Sequence, residues 1–151
     1  MAAELAPGRW GFEKSENFDE YMKALGKSQY VISDNFDEYM KALGVSYPWR
    51  VIGNSAKPQQ EISIKDGRWT IITSTPVTKV VIQFELNKEF DETTADGRKV
   101  KSTCTVHGNK LITDQRGSVD SVITRDFTKN SFIMTLAAKD VTCTRYYKRL
   151  S

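Results

Sequence analysis

The sequence predicts an all-β fold, an antiparallel meander of ten short strands with helical segments near its start. From about Pro58 onwards, apolar and polar residues alternate with a period of two, in short runs rich in β-branched and aromatic residues. Turn dipeptides such as Asp66-Gly67, Asp96-Gly97 and Lys129-Asn130 separate these runs at hairpin spacing. Ahead of Pro58, apolar residues recur every three or four positions, which is typical of amphipathic helices.

The strands are short and evenly spaced. They are predicted near 9–15, 59–65, 68–74, 78–86, 89–93, 98–106, 110–115, 118–126, 131–137 and 141–149. An open sheet of so many short strands would leave exposed edges, so we expect the sheet to close on itself.

Composition and charge favour one soluble domain over residues 1–151. The chain is 39% apolar and 27% charged, and its apolar runs fall short of the roughly 18 residues that a membrane span needs. The first residues lack the pattern of a secretory leader, so we expect a cytoplasmic protein. The 22 basic and 19 acidic side chains give a net charge of +3, too mild for nucleic-acid binding but sufficient for weak attraction to anionic membranes.

A tandem duplication lies near the start of the chain. The string NFDEYMKALG occurs at 17–26 and again at 35–44, an offset of 18 residues, and weaker similarity extends the repeat to 8–25 and 26–43. Each copy predicts an extended segment followed by a helix that begins after Asn17 or Asn35 and ends at a glycine. A further helical turn is predicted over 46–52, ending before Gly53.

A barrel has one place for its first strand, so the two copies compete for it. The segment 9–15 carries Trp10 and Phe12 at alternating positions, the better core face, whereas 27–34 leads directly into the following helices. We favour the first copy as the barrel strand and 27–44 as an enlarged lid. Displacement of the first 25 residues, and exchange of one copy with a neighbouring molecule, stay open as alternatives.

Alternation also predicts an internal polar site. In the last strand, Cys143, Arg145 and Tyr147 share the less polar face, and in 118–126 the face that carries Val119 also carries Arg125. Two enclosed guanidinium groups need an anion or an internal carboxylate as partner. A shift of one residue would instead place both arginines on the surface, and alternation alone leaves this alternative open.

The sequence offers little for catalysis, and we expect no enzymatic activity, no metal and no cofactor. The single histidine, His107, falls in a predicted hairpin turn, and the two cysteines are too far apart for a C-x-x-C site. Asp91 and Glu92 are adjacent in a strand and therefore point apart, so we interpret them as surface charges.

Several motifs carry a family resemblance. The segment Gly8-x-Trp10-x-Phe12-x4-Asn17-Phe18-Asp19-x-Tyr21-Met22 resembles the N-terminal signature of the intracellular fatty-acid-binding proteins, the family that includes the cellular retinoid-binding proteins. The resemblance continues through 84–102, which contains the string EFDETTADGRKVKS, and closes with Val141-Thr142-x-Thr144-Arg145-x-Tyr147.

The resemblance implies a ten-stranded up-and-down β-barrel of the calycin type, a clam closed by a helical lid, here enlarged by a duplicated helix. It implies intracellular transport of one long-chain fatty acid, with the carboxylate bound by Arg125, Arg145 and Tyr147. The family positions that line the cavity or portal are Ala95, Asp96 and Arg98, together with Phe18, Tyr21 and Met22 or their copies Phe36, Tyr39 and Met40, and which copy contributes stays open. Val77 lies at the portal where many relatives carry a phenylalanine, a departure from the family pattern.

Two other functions within the family remain alternatives: a protein that holds membranes together, and a carrier of another hydrophobic acid such as a retinoid. The expected partners are the fatty acid and, transiently, an anionic membrane. We expect a monomer, and the duplicated element also permits a domain-swapped dimer.

Overall fold

The computed structural model describes residues 1–12, 30–55, 57–76 and 78–151. Three helices lie within these ranges: α1 (Ala2–Leu5), α2 (Tyr30–Ala42) and α3 (Tyr47–Ser55). None of the described helices is long and apolar enough to cross a membrane. The strands are β1 (Gly8–Phe12), β2 (Gln59–Lys65), β3 (Arg68–Ser74), β4 (Lys79–Glu85), β5 (Phe90–Thr93), β6 (Lys99–His107), β7 (Lys110–Arg116), β8 (Ser121–Phe127), β9 (Ser131–Ala138) and β10 (Val141–Arg149).

The ten strands form one antiparallel sheet in up-and-down order, which confirms the predicted fold class. Consecutive strands pair from β5 through β10, and β1 then joins β10 to β2 and the run β2–β4. The turn residues account for this connectivity. Asp66 and Gly67 have φ values of 52° and 78°, the left-handed backbone that a two-residue hairpin turn requires.

The strand of the first copy lies in the barrel. Trp10 pairs with Gln60 of β2 on one side and with Arg149 of β10 on the other. Gly8–Phe12 thus occupies the one position for a first strand, and residues 30–34, which belong to the second copy, are helical. That 8–25 and 26–43 are two copies of one strand–helix unit remains a prediction from the sequence.

The sheet closes on itself into a nearly complete barrel, as predicted, with one gap between β4 and β5. The hydrogen-bonded order ends at β4 on one side and at β5 on the other, and no ladder joins these two strands. Stacked aromatic rings hold one end of this gap: the ring centroids of Trp69 and Phe84 are 5.9 Å apart, and those of Phe84 and Phe90 are 5.3 Å apart. Side-chain packing replaces backbone hydrogen bonds there.

The start of α2 differs from the prediction. The helix begins at Tyr30, so Asn35 lies inside it and does not cap it. Because β1 already holds the strand position, and residues 30–34 contain neither glycine nor proline, the helical hydrogen bonds extend towards the N-terminus. The predicted end is confirmed: the Gly44 N–H donates to the Lys41 carbonyl at 2.9 Å, with a φ of 82°. The helix predicted at 17–26 lies outside the described residues.

Helix α3 also extends beyond its predicted end. It continues through Gly53 to Ser55, whereas the sequence pattern predicted a stop before that glycine. A glycine inside a helix costs about 1 kcal/mol relative to alanine, which lowers the stability of the helix without ending it.

Helix α1, which the sequence analysis missed, closes the end of the barrel opposite α2 and α3. The Ala2 N–H donates to the Gly108 carbonyl at 2.9 Å, and the Trp10 indole N–H donates to the Ala6 carbonyl at 2.9 Å. Trp10 packs on the fully buried rings of Phe127 and Phe132. We call this region, formed by α1, Trp10, Phe127, Phe132 and Arg149, the closed end.

Candidate functional site

A cavity of about 280 Å³ lies between the two lid helices and the inner face of the sheet. Arg125 and Arg145 line it, and each side chain is only 6% exposed. The alternation in β8 and β10 therefore has the predicted parity, and the register that would place both arginines on the surface is wrong. Burial of two guanidinium groups in one cavity is the feature of this molecule that most needs a chemical explanation.

Arg125 has one side-chain hydrogen-bond partner among the residues that the structure describes. Its Nε–H donates to Oε1 of Gln60 at 3.1 Å, and Gln60 in turn donates to Oγ1 of Thr73 at 3.3 Å. Burial lowers the pKa of the Arg125 guanidinium, and the nearby Cys104, Tyr147 and Glu92 partly oppose this shift. A neutral amide satisfies one donor and leaves the charge uncompensated.

Arg145 lies between two aromatic rings. Its guanidinium carbon is 4.4 Å from the ring centroid of Phe12 in β1 and 4.0 Å from that of Phe36 in α2. Within the described part of the chain, the buried Nε of Arg145 has no hydrogen-bond partner. The rings stabilise the cation through their π faces but accept no conventional hydrogen bond. Arg145 therefore brings a charged guanidinium to the cavity wall and has one buried donor, Nε–H, without a partner in the described part of the chain.

Tyr147 completes the group. Its ring stacks on Phe132 with a centroid distance of 4.5 Å, and its side chain is almost fully buried. Burial raises the pKa of the Tyr147 phenol, and the charges of Arg145 and Arg125 oppose that shift. The phenol is thus a neutral O–H donor at physiological pH. The structure brings Arg125, Arg145 and Tyr147 together around one cavity.

The lid contributes the apolar wall of the cavity. Phe36, Tyr39 and Met40 of α2 all line it, as the resemblance implied. The Tyr39 hydroxyl bonds to Oγ of Ser121 in β8, which attaches the lid helix to the sheet. Burial raises the pKa of Tyr39. An ion pair between Arg50 and Asp37, with Nε and Oδ1 3.1 Å apart, links α3 to α2.

The remaining predicted positions lie at the mouth of the cavity or beyond the described residues. Ala95, Asp96 and Arg98 line the cavity in the turn between β5 and β6. Asp96 and Arg98 form an ion pair, with Oδ2 and Nε 3.0 Å apart, and therefore neutralise each other. The positions that lie outside the described residues, and stay predictions, are Phe18, Tyr21, Met22 and Val77.

Several polar residues of the cavity wall were not predicted from the sequence, among them Gln60, Glu92 and Gln115. Asp91 and Glu92 do point apart, but this places Glu92 inside the barrel, so its interpretation as a surface charge is wrong. Glu92 lies on the face of β5 that carries Phe90, whereas Asp91 is exposed. The apolar Phe90 two positions earlier was the available signal.

Comparison with known proteins identifies the family. A model of the lipocalin / cytosolic fatty-acid binding protein family matches residues 26–150. The chain belongs to this family. The family consists of lipid-binding carriers and is not a family of enzymes. The match begins in the second copy of the duplicated segment, whereas β1 comes from the first copy.

Individual relatives cover nearly the whole chain. The chain is 45% identical over 150 residues to the sodium/calcium exchanger regulatory protein 1 of Doryteuthis pealeii, covering 99% of each chain. It is 42% identical over 150 residues to the muscle fatty acid-binding protein of Schistocerca gregaria, covering 98% of each. A solved structure of the Schistosoma mansoni fatty acid binding protein with arachidonic acid superposes with a TM-score of 0.84 at 30% identity, covering 100% of both chains.

Proposed function

We propose that this protein binds one long-chain fatty acid non-covalently in the barrel cavity and transports it inside the cell. The observation that carries this proposal is the group of three buried donors on the cavity wall: Arg125, Arg145 with its unpartnered Nε, and the neutral Tyr147. A carboxylate accepts hydrogen bonds only, and it supplies the negative charge that these arginines lack. The similarity to fatty-acid-binding relatives supports the same ligand class.

The ligand's tail and its carboxylate head contribute differently to the free energy of binding. Burying a chain of about 15 methylenes contributes roughly 12 kcal/mol before the costs of association, at about 0.8 kcal/mol per methylene. Each charged hydrogen bond to the carboxylate adds about 1.5 to 3 kcal/mol. The tail thus provides most of the affinity, and the donors select ligands with an acidic head.

A variant that lacks the Arg145 guanidinium tests how the free energy of binding is shared between tail and head. We expect Arg145→Ala to weaken binding of a long-chain fatty acid about tenfold or more, and to change binding of the alcohol of the same chain length by less than about twofold. Titration calorimetry with both ligands measures the two effects. Arg116→Ala is the matched control, because Arg116 is an exposed arginine at the end of β7. An equal loss for acid and alcohol would refute the role of Arg145.

The same three donors can bind the carboxylate of any hydrophobic acid, so an acidic retinoid is the alternative ligand. Competition between retinoic acid and a long-chain fatty acid for the purified protein separates the two. We expect the fatty acid to displace the retinoid at equal concentration. The reverse result would favour a retinoid carrier.

A second candidate function, contact with membranes, is favoured by the exposed apolar side chains of α3. Tyr47, Trp49 and Val51 are exposed by 69%, 39% and 47%, and Trp49 also lines the cavity. Lys41 and Arg50 both pair with Asp37, so we infer that this contact rests on apolar groups more than on charge. We expect Trp49→Ala to slow transfer of a fluorescent fatty acid to anionic vesicles. Salt-sensitive aggregation of those vesicles by the protein would instead indicate membrane stacking.

A further inference from the structure

The cavity has a second polar centre, which lies on β5, β6 and β7, whereas the three donors lie on β8 and β10. Glu92 of β5 accepts from Oγ–H of Ser102 at 2.9 Å and from the side-chain amide of Gln115, whose Nε2 is 3.3 Å from Oε1 and 3.4 Å from Oε2. Ser102 and Gln115 are cross-strand partners of β6 and β7 and are almost fully buried. We call Glu92, Ser102 and Gln115 the acceptor cluster.

The acceptor cluster lies on strands other than those of the donor group, and Glu92 is near Arg125 but not paired with it. Within the described part of the chain, no ion pair joins Glu92 to Arg125 or Arg145. Arg145 lies on β10, five strands from β5 in the sheet order. Because β5 and β10 are half of the ten-stranded sheet apart, they face each other across the cavity, so a ligand with its head at Arg145 can place a distal part of its chain beside Glu92.

The chemistry of the cluster calls for a hydrogen-bond donor. A carboxylate offers about four lone-pair sites and donates nothing. The single Ser102 proton is already directed at Oε1, and Oε2 receives only the long amide contact. A plain acyl chain passing this point would leave the carboxylate beside methylene groups, which satisfy none of its remaining capacity.

The charges of the cavity indicate that this donor is neutral. Asp96 and Arg98 pair with each other, so the other charged residues that line the wall in the described ranges are Arg125, Arg145 and Glu92. Together these three carry one positive charge, which the carboxylate of a single fatty acid balances. A second acidic group on the ligand would lie next to Glu92 and be repelled.

We propose that the preferred ligands are hydroxylated long-chain fatty acids, whose distal hydroxyl donates to the Glu92 carboxylate. This inference rests on the proposed function, because it requires the acid head at Arg125, Arg145 and Tyr147. A hydroxyl in an apolar cavity weakens binding when it has no partner. Tighter binding of a hydroxylated acid than of its parent therefore requires an acceptor at the right place.

The test compares octadecanoic acid with a series of its monohydroxy positional isomers, each titrated calorimetrically into the full-length protein. We expect at least one isomer with a distal hydroxyl to bind about tenfold more tightly than the parent acid. In Glu92→Met that isomer should bind no better than the parent. In Glu92→Gln, which keeps an accepting oxygen and the shape of the side chain, an intermediate preference should remain. Glu61→Met, at an exposed glutamate of β2, is the matched control and should retain the full preference.

The outcomes separate this inference from the proposed function. If the protein binds octadecanoic acid in an Arg145-dependent manner but favours no isomer, this inference alone is overturned. A preference that persists unchanged in both Glu92→Met and Glu92→Gln also overturns it. If neither the parent acid nor any isomer binds, both the proposed function and this inference fail.

Discussion

Two arginines of the last strand, four residues apart, have opposite surroundings. Arg149 donates to three backbone carbonyls, those of Leu5 at 2.6 Å, Lys129 at 2.7 Å and Pro7 at 2.8 Å, and lies 4.2 Å from the ring centroid of Trp10. Arg145 also contacts aromatic rings, but its buried Nε has no partner in the described part of the chain. A guanidinium whose donors are used holds the fold together, and one with a spare buried donor is suited to bind an anion.

The same contrast separates the two ends of the barrel. At the closed end, the Trp10 indole N–H has a carbonyl partner and the surrounding aromatic rings pack against each other. At the cavity, two arginines and a glutamate face an enclosed space without pairing with each other. The closed end therefore supplies stability, and the cavity retains binding capacity at some cost in stability.

The sharpest test of this contrast exchanges each arginine for methionine. We expect Arg149→Met to lower the free energy of unfolding by about 2 to 4 kcal/mol, because three charged hydrogen bonds and a ring contact are lost. Arg145→Met should leave stability unchanged or raise it, because it removes an unsatisfied buried charge, while fatty-acid affinity falls. Urea denaturation and calorimetric titration of both variants measure the two effects. If Arg145→Met destabilises the protein as much as Arg149→Met, the distinction between the two arginines is wrong.

The two buried thiols give a second test, which depends on pH. Burial raises the pKa of both Cys104 and Cys143 from 9.0 to about 11. The native protein thus keeps protons that the unfolded chain releases, so stability should be constant below pH 9 and fall between pH 9 and 11. The loss is about 2 to 3 kcal/mol per thiol. Urea denaturation across this pH range should show a smaller decline for Cys104→Ala and Cys143→Ala.

The pKa values of the two thiols also test which arginine lies near each of them. The positive charge of Arg145 lowers the pKa of Cys143 and so opposes the effect of burial, and the positive charge of Arg125 does the same at Cys104. Thiolate absorbance should therefore show that Arg145→Met raises the pKa of Cys143 and leaves that of Cys104 unchanged. Equal shifts at both thiols would contradict the separate placement of the two arginines.

The smallest expected effect concerns the lid. Tyr39→Phe removes the bond to Ser121, and we expect a loss of about 1 kcal/mol in the free energy of unfolding, together with faster release of bound fatty acid. Tyr47→Phe, at an exposed tyrosine of α3, is the matched control and should change neither quantity. Urea denaturation and stopped-flow release measure the two effects. Identical behaviour of the two variants would show that the Tyr39 bond does not hold the lid.

Local patterns in the sequence were sufficient to predict the sheet. Period-two alternation predicted which residues share a face with Arg125 and Arg145, because a pleated strand converts sequence parity into orientation, and the family resemblance indicated that this face is the inner one. Turn residues such as Asp66 and Gly97, whose φ values are 52° and 89°, marked the hairpins for a similarly local reason.

The features that escaped prediction depend on contacts between distant residues. The start of α2 at Tyr30 depends on β1 having filled the strand position, which residues near Asn35 do not encode. The partners of Glu92, Ser102 and Gln115, are 10 and 23 residues further along the chain. Their convergence follows from strand register, so the acceptor cluster was visible only once the fold was known.

Because no ladder joins β4 and β5, the barrel is a ring of strands with one slit between these two strands. Because no backbone hydrogen bonds cross the slit, spreading it separates side chains only. The stacked rings of Trp69, Phe84 and Phe90 hold the two edges of the slit together at one end, so we expect the slit to open most at its other end. There, a groove of about 570 Å³ runs between residues 78–81 and 93–97 beside Trp49. We expect a bulky ligand to separate side chains at the groove end, which leaves the ring contacts and every strand pair intact.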